Sequence, residues 1–395
     1  TIKAFFCQVK KLDRMVEPLN FDPIFLFNKK QLYDIFSGPD PDEAVIKLKL
    51  DESRILVTGA CGTVGRELVK QLLETHAVKE LVGLDNNESE LFFLEQRFAE
   101  YAQASFYLAD VRDRDRLCDK IKGIDVVYHT AAFKHVLLCE QSPFEAVQTN
   151  IHGVQNIIYA SIENNVDRVI FTSSDKAVNP TNVMGTSKLM GERLITAANS
   201  NLRAAGPIFT SARFGNVLGS RGSVIPIFRD QIRRGGPVTL TDPMMTRFIM
   251  SIEQAVQLII EAGELSRGGE VFVTKMPTIR IRDLAEVMIQ EMAPAFGYRP
   301  EDIQIEIIGH KAGEKMYEEL MNIEETRRSW ELSRYFVILP AFTDLYREIA
   351  FEYPAIISTQ LSRAYNSADE NPLSKTRLAA FLKENSLLRQ NNGDR

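Results

Sequence analysis

Between residues 54 and 214 the chain alternates short apolar runs with longer segments whose apolar positions recur at helical spacing. The runs are Arg54-Ile55-Leu56-Val57-Thr58, Glu80-Leu81-Val82-Gly83-Leu84, Phe106-Tyr107-Leu108-Ala109, Ile124-Asp125-Val126-Val127-Tyr128 and Arg168-Val169-Ile170-Phe171, with Ala212-Arg213-Phe214 closing the series. Val64, Leu68 and Leu72, with Val69 and Leu73, mark one helix, residues 88–101 a second and residues 144–164 another. Strands that alternate with helices in this way predict an α/β fold: a doubly wound parallel sheet with helices on both faces.

Past Phe214 the alternation loosens into glycine-rich loops, and helices are expected over residues 252–264, 281–292 and 315–321. Residues from about 341 read as helical, with a polar, frayed end at 390–395. Four parts follow: an arm over 1–52 for docking or oligomerisation, a nucleotide-binding domain over 53–215 with a return segment at about 250–275, a smaller α/β substrate-binding region over 216–340, and a helical tail over 341–395. The turn-rich stretch Ser37-Gly38-Pro39-Asp40-Pro41-Asp42 closes the arm.

A net charge of -6 with no basic run argues against a nucleic-acid partner. Cys7, Cys61, Cys118 and Cys139 form no CxxC pair and no zinc-like spacing, so free thiols in a reducing compartment, the cytoplasm, are expected and no metal site. No apolar run is long enough to span a bilayer, and no basic-then-apolar leader opens the chain. Because the numbering starts at Thr1 and not Met, an upstream anchor stays open.

The chemistry gathers at strand ends. Arg54–Thr58 runs into Gly59-Ala60-Cys61-Gly62-Thr63-Val64-Gly65 and then a helix, the frame a Rossmann-type phosphate-binding turn requires: glycines let the backbone approach a pyrophosphate, and the helix N-terminus offers free N–H groups. Asp85 ends the second strand, where a carboxylate can accept both adenosine ribose hydroxyls and repel a 2′-phosphate, favouring NAD over NADP. Asp110 and Val111 follow the third strand where an adenine would lie, and the small Ala131 and Ala132 after the fourth let the backbone pass beneath a cofactor. His129 and His135 have no evident carboxylate partner and read as structural, although Lys134 and His135 border the expected substrate side. The fifth strand enters Ser173-Ser174-Asp175-Lys176, turns at Asn179-Pro180 and restarts as a helix at Met184, with Lys188 one turn later on the same face. Asn216, Ser223 and Val224 sit in loops suited to a sugar and its phosphates, while Arg247, Lys311 and Glu314 sit where charges can meet a diphosphate and its sugar.

Several of these segments together resemble a known family. Thr58-Gly59-Ala60-Cys61-Gly62-Thr63-Val64-Gly65 matches the TGxxGxxG turn of the extended short-chain dehydrogenase/reductases. Ser173 to Asn182, His129 to Val136, Arg213 to Ser223 and Gly313-Glu314-Lys315 resemble the nucleotide-sugar 4,6-dehydratases of bacterial polysaccharide synthesis, over about residues 53–340. Met184 stands where most of that superfamily has the tyrosine of YxxxK, which resembles the branch of UDP-N-acetylglucosamine 4,6-dehydratases that use methionine. Lys311 and Ala312 stand where the family commonly has arginine and proline, which leaves a GDP-linked sugar open beside a UDP-linked one.

The resemblance implies oxidation at carbon 4 of the sugar, loss of water across carbons 5 and 6, and return of the same hydride to carbon 6. It assigns Ser174 to the 4-oxygen, Asp175 to protons at the 4- and 6-hydroxyls, Lys176 to the carbon 5 proton, and Lys188 to the nicotinamide ribose. Met184 is counted with these catalytic residues, but a thioether cannot be a general base, so the proton work must fall on its neighbours. Lys176 as a base requires a lowered pKa, which burial beside Lys188 and a cationic nicotinamide is expected to give. A 4-epimerase of the same fold and a non-catalytic NAD-binding regulator remain as alternatives, and a homo-oligomer is expected.

Overall fold

The computed structural model describes residues 50–200, 206–220, 223–309, 313–342 and 349–388. Residues 1–49 of the expected arm, Lys311 and the expected frayed end lie outside the described residues. Seven strands run parallel in one sheet: β1 (Arg54–Thr58), β2 (Glu80–Asp85), β3 (Ala104–Leu108), β4 (Val126–His129), β5 (Arg168–Ser174), β6 (Ile208–Phe214) and β7 (Val271–Thr274). Antiparallel pairing then adds β8 (Ser329–Leu332), β9 (Tyr335–Ile338) and β10 (Ile356–Ser358), for an order of β10-β8-β9-β7-β6-β5-β4-β1-β2-β3. The order reverses between β1 and β4, which opens a crevice beyond their carboxyl ends.

The helices that matter for the site are α1 (Thr63–Thr75), α2 (Gly153–Glu163), α3 (Val183–Ala198), α4 (Val224–Arg233), α5 (Ile252–Leu265), α6 (Ile281–Met292) and α7 (Lys375–Glu384). Alternate residues of β1 serve opposite faces of the sheet, as a pleat demands. Ile55 and Val57 pack with Leu68 and Leu72 of α1 and Val256 of α5, while Leu56 joins Val127, Val169, Ile157 of α2 and Ile195 of α3. Each such fully buried aliphatic side chain contributes roughly 1.5–3 kcal/mol. The expected helix over 144–164 is one continuous helical run with a wider π turn at Gln148–His152, ahead of α2. Ser251 and Gln254 bond each other's backbone across a capping box and fix the start of α5.

Two expectations are corrected. Residues 315–321 are not a helix: Glu319–Met321 is a strand paired antiparallel with Tyr365–Asn366. Met316 and Leu320 have helical spacing, but Glu318 N–H donates to Ser367 Oγ and Ser367 N–H donates to the Glu318 carbonyl, so a partner far along the chain takes the backbone groups that a local helix needs. Nor is the tail wholly helical. The run Ile356-Ile357-Ser358, with two β-branched isoleucines, makes β10, Tyr365–Asn366 makes the second strand, and among the described residues of the tail α7 alone is helical, after Pro354 and Pro372 have interrupted the run. Leu378 and Leu382 of α7 pack into a separate core with Ile225 and Phe228 of α4 and Leu284 and Met288 of α6. Among the described residues no helix is long and apolar enough to cross a membrane.

Arg213, on β6, is fully buried between two carboxylates. Its guanidinium donates to both oxygens of Glu192 on α3 at 2.9 and 2.6 Å, and to both oxygens of Glu325 at 3.0 and 2.9 Å. Replacing it with leucine strands two buried charges, and Arg213→Leu is expected to cost about 3–5 kcal/mol at neutral pH. Carboxyls without their cation take up protons more readily when folded than when unfolded, so the loss should shrink as pH falls towards 5. Urea denaturation of both proteins at pH 7.5 and pH 5 checks this.

Candidate active site

The glycine turn is shaped by close contacts. Gly59 has φ of 69°, and a Cβ there would lie 2.7 Å from the backbone of Ala131. A Cβ on Gly65 would collide with the Gly59 carbonyl oxygen, so α1 can start against the turn only without a side chain. Gly62 caps α1 with no side-chain hydrogen bond, and no acidic residue occupies the first turn. Its N–H groups and partial positive charge are therefore not neutralised by a carboxylate of the helix, which suits a pyrophosphate.

Asp85 braces the turn from β2: its carboxylate accepts from Cys61 N–H at 2.9 Å and from Asn87 N–H at 3.0 Å. Burial, with Asp85 and Glu90 nearby, pushes the Cys61 thiol up to about 12, so it stays protonated. Asp110 is held at about 2, first by its hydrogen bonds from Arg112, and carries full charge beside the crevice. Val111 touches the site where a Cβ on Gly153 would clash, which seats the start of α2 against the third strand's loop. Together these residues fit a dinucleotide: a cradle that Cβ atoms would fill, an uncapped helix start and a carboxylate at the tip of β2.

On the other side of the crevice, β5 ends at Ser174 and passes through a single 3-10 turn, Asp175–Ala177, before Asn182 caps α3 by accepting from Gly185 N–H at 2.8 Å. Gly185 lies so close to the Lys176 carbonyl that any Cβ would overlap it, which brings α3 flush against the turn. Met184, Ser187 and Lys188 are buried: Met184 packs with Cys139 and Ala146, Ser187 accepts from Asn150, and Lys188 reaches the Thr172 carbonyl of β5. Asn150 fixes the neighbouring loop, because its side chain accepts from Phe133 N–H at 2.8 Å and donates to Phe133 O and Ser187 Oγ, each at 2.9 Å.

Ser174, Asp175 and Lys176 form one array. Asp175 Oδ1 accepts from Ser174 Oγ at 2.6 Å and from Lys176 Nζ at 3.0 Å, while Oδ2, also buried, has no partner. Lys176 Nζ lies 3.6 Å from Glu318 Oε1, and Arg247 Nε lies 3.6 Å from the same oxygen. The lysine whose pKa falls is not the expected one. Burial lowers Lys188 to about 8, with Glu192 opposing weakly; its ammonium donates to the Thr172 carbonyl at 2.9 Å and sits 4.8 Å from the centre of the Phe171 ring. For Lys176 burial also lowers, but Asp175 and Glu318 outweigh it and hold the ammonium above its ordinary value. Burial raises Glu318 despite its cationic neighbours.

Arg247 is buried, donating to the carbonyls of Thr246, Lys315 and Met316, with Glu314 Oε1 at 3.9 Å. Lys315 donates to the Val178 carbonyl at 2.8 Å and ties this segment over the turn. Lys134 and His135 are exposed at the start of the helix Val136–Gln141. His129 is buried, 2.7 Å from Thr58 Oγ1, and held by burial at about 3, so it is neutral and structural. Asn216 pairs in register with Ile249, and Ser223 precedes α4, whose first residue is Val224. Sequence reasoning missed Glu318 and gave Asn150 no role; among the described residues no cluster suited to a metal ion occurs.

A family described as polysaccharide biosynthesis protein matches residues 55–340. An uncharacterized membrane protein of Methanocaldococcus jannaschii is 48% identical over 337 residues, 85% of this chain and 97% of its own length. The UDP-N-acetylglucosamine 4,6-dehydratase (inverting) of Campylobacter jejuni is 35% identical over 82% of this chain and 94% of that protein. UDP-glucose 4-epimerase of Rickettsia typhi is 36% identical over 73% of this chain and 83% of the epimerase. Two longer relatives, CapD of Staphylococcus aureus and EpsC of Bacillus subtilis, are spanned over 56% and 47% of their lengths, about half. Among solved structures, Pen from Bacillus thuringiensis superposes with a TM-score of 0.79 at 40% identity, covering 86% of this chain and 99% of Pen. The dTDP-glucose 4,6-dehydratase DesIV of Streptomyces venezuelae, solved with NAD, shares the fold at 21% identity and a TM-score of 0.58, covering 67% of this chain and 86% of DesIV.

The lowered Lys188 gives a test of this electrostatic picture. Between about pH 8 and the ordinary lysine value of 10.5 the unfolded chain binds a proton that the folded chain does not, so this group's contribution to stability rises with pH across that window. Chemical denaturation of the ligand-free protein from pH 8 to pH 10 should show this rise, and Lys188→Met should remove it.

Proposed function

The chain belongs to the polysaccharide biosynthesis protein family, within the extended short-chain dehydrogenase/reductases, and on that premise we propose that it is an NAD-dependent UDP-N-acetylglucosamine 4,6-dehydratase. The observation that carries the reading is the array of Ser174, Asp175 and Lys176 at the tip of β5, with the buried Asp175 at its centre and a thioether at position 184 where a phenol would otherwise stand. NAD, when bound, accepts the hydrogen that leaves carbon 4 and returns it to carbon 6. Gly59, Gly62, Thr63, Val64 and Gly65 would hold its pyrophosphate and Asp85 its adenosine ribose, with Asp110 and Val111 serving the adenine and Ala131, Ala132 and Lys188 the nicotinamide half.

The chain's own groups divide the proton work. Ser174 donates to the 4-oxygen, Asp175 takes the 4-hydroxyl proton and delivers it to the departing 6-hydroxyl, and Lys176 removes the proton on carbon 5. Asp175 suits two transfers because its buried Oδ2 accepts no hydrogen bond while Oδ1 is held by two donors. Met184 keeps that side of the sugar dry. Lys134, His135, Asn216, Ser223, Val224, Arg247 and Glu314 would bind the nucleotide and sugar, and so would Lys311, which lies outside the described residues. The second reading, a 4-epimerase, is supported by the Rickettsia relative, and under it nothing would use a proton donor for a 6-hydroxyl.

Incubation with UDP-N-acetylglucosamine in deuterated water separates the two. A product lighter by one water, with deuterium at carbon 5, is expected; a product of unchanged mass sinks the dehydratase, and a GDP-linked sugar run alongside tests nucleotide choice. Lys176→Ala should lower product formation about a hundredfold or more, and full turnover without Lys176 would remove it from the mechanism.

A further inference from the structure

Lys176 stands in the position of a base, yet in the free protein it is a firmly held ammonium. Glu318 faces it across 3.6 Å and faces Arg247 across another 3.6 Å, so one carboxylate joins the candidate base to Arg247, a cation the proposed function assigns to the substrate. Glu318 differs from Asp175 in what stabilises its charge. Asp175 Oδ1 receives two hydrogen bonds, whereas Glu318 Oε2 is buried with no partner and Oε1 has its two cations beyond hydrogen-bond length. The charged groups around Glu318 are Asp175 and Lys176 on the β5 turn, Arg247 on the strand Thr246–Met250, and Lys315 on its own segment.

Building on the dehydratase reading, we infer that Glu318 takes the ammonium proton of Lys176 when a nucleoside diphosphate-sugar is seated, and thereby makes Lys176 the free amine that the carbon 5 step requires. The Lys176 N–H bond breaks, a bond to Glu318 Oε1 forms, and the pair passes from ammonium and carboxylate to amine and carboxylic acid with no change in total charge. Two effects drive the transfer, and the second, from the diphosphate, is enough on its own to populate the neutral pair. The sugar covers the Lys176 side chain, 27% exposed in the free protein, and a dry site disfavours two separate charges. The diphosphate compensates Arg247, one of the cations that keep Glu318 ionised. Lys176 then takes the carbon 5 proton and later returns a proton to that carbon; when product leaves, the Glu318 proton goes back to the amine. Glu318 acts through Lys176 and is a positioning and proton-storing residue, not one that meets the sugar.

The test uses the whole chain with NAD. In Glu318→Gln, oxidation at carbon 4, read as reduced-nicotinamide absorbance, should persist and show that the variant is folded. Deuterium entry at carbon 5 should fall about a hundredfold at pH 7 and recover tenfold per pH unit, because solvent must then remove the lysine proton. Infrared difference spectra with UDP alone should show a carboxylic-acid carbonyl band appearing in the wild type, shifted in Glu318→Asp and absent in Glu318→Gln. Were Glu318 only a counter-ion, its removal would ease deprotonation of Lys176. Carbon 5 exchange in Glu318→Gln at the wild-type rate or faster therefore overturns the inference, as does UDP binding to the wild type with no new band. If the wild type releases a sugar of unchanged mass, the dehydratase reading falls while the UDP spectra still judge Glu318.

Discussion

The pairing of Arg213 with Glu192 and Glu325 is the contact on which the arrangement of the site depends. Each partner belongs to a different part of the chain: Glu192 to the helix that carries Met184 and Lys188, Arg213 to the strand beside β5, and Glu325 to the capped turn that follows the Glu318 strand. A buried guanidinium in a fixed fork geometry accepts only small displacements of two bidentate carboxylates. The helix and the segment 318–321 are thereby set against β6, inside the sheet, at the distances that let Glu318 approach Lys176. A hydrophobic contact of equal area would hold the same elements together, but it would not fix their register along the sheet.

Parallel strands buried on both faces read directly from the chain, because each is a continuous apolar run and each helix after it repeats at its own period. That is why β1, β2, β4 and β5 and the helices α5 and α6 stand where the pattern puts them. The same reading fails for residues 315–321, 356–358 and 365–366, whose conformation comes from distant partners. Glu318 bonds Ser367, Tyr365 bonds the Met276 backbone in both directions at 2.7 and 3.0 Å, and the strands this creates are short. No local periodicity announces a pairing that exists only once the chain has closed.

The site divides in the same way. Asp175, Lys176, Met184 and Lys188 are found from sequence because one strand, one turn and one helix deliver them, with Gly185 allowing the close approach. Their protonation is not. Two lysines twelve residues apart look alike in a sequence, yet Lys188 faces a carbonyl and an aromatic ring while Lys176 faces two carboxylates. Burial acts on both in one direction, and only the second is overruled by charge. Which lysine is easily neutralised is therefore a property of the Glu318 strand, a segment whose place the sequence pattern does not reveal.

This has a consequence for the methionine at 184. In a site built on a tyrosine, a phenol can share a proton with a nearby lysine and with the sugar, so a single helix carries the acid-base function. A thioether offers a weak acceptor and no proton, and it is buried here among Cys139, Ala146 and Val183. The helix then contributes a cation and an apolar wall, and proton exchange shifts to the β5 turn and its carboxylates. A base drawn from that turn starts as an ion pair, so it needs an acceptor close by whose charge is poorly stabilised. Glu318 meets both conditions, with a bare buried oxygen and a lysine at 3.6 Å, and Asp175, held by two donors, meets only the first part of that demand.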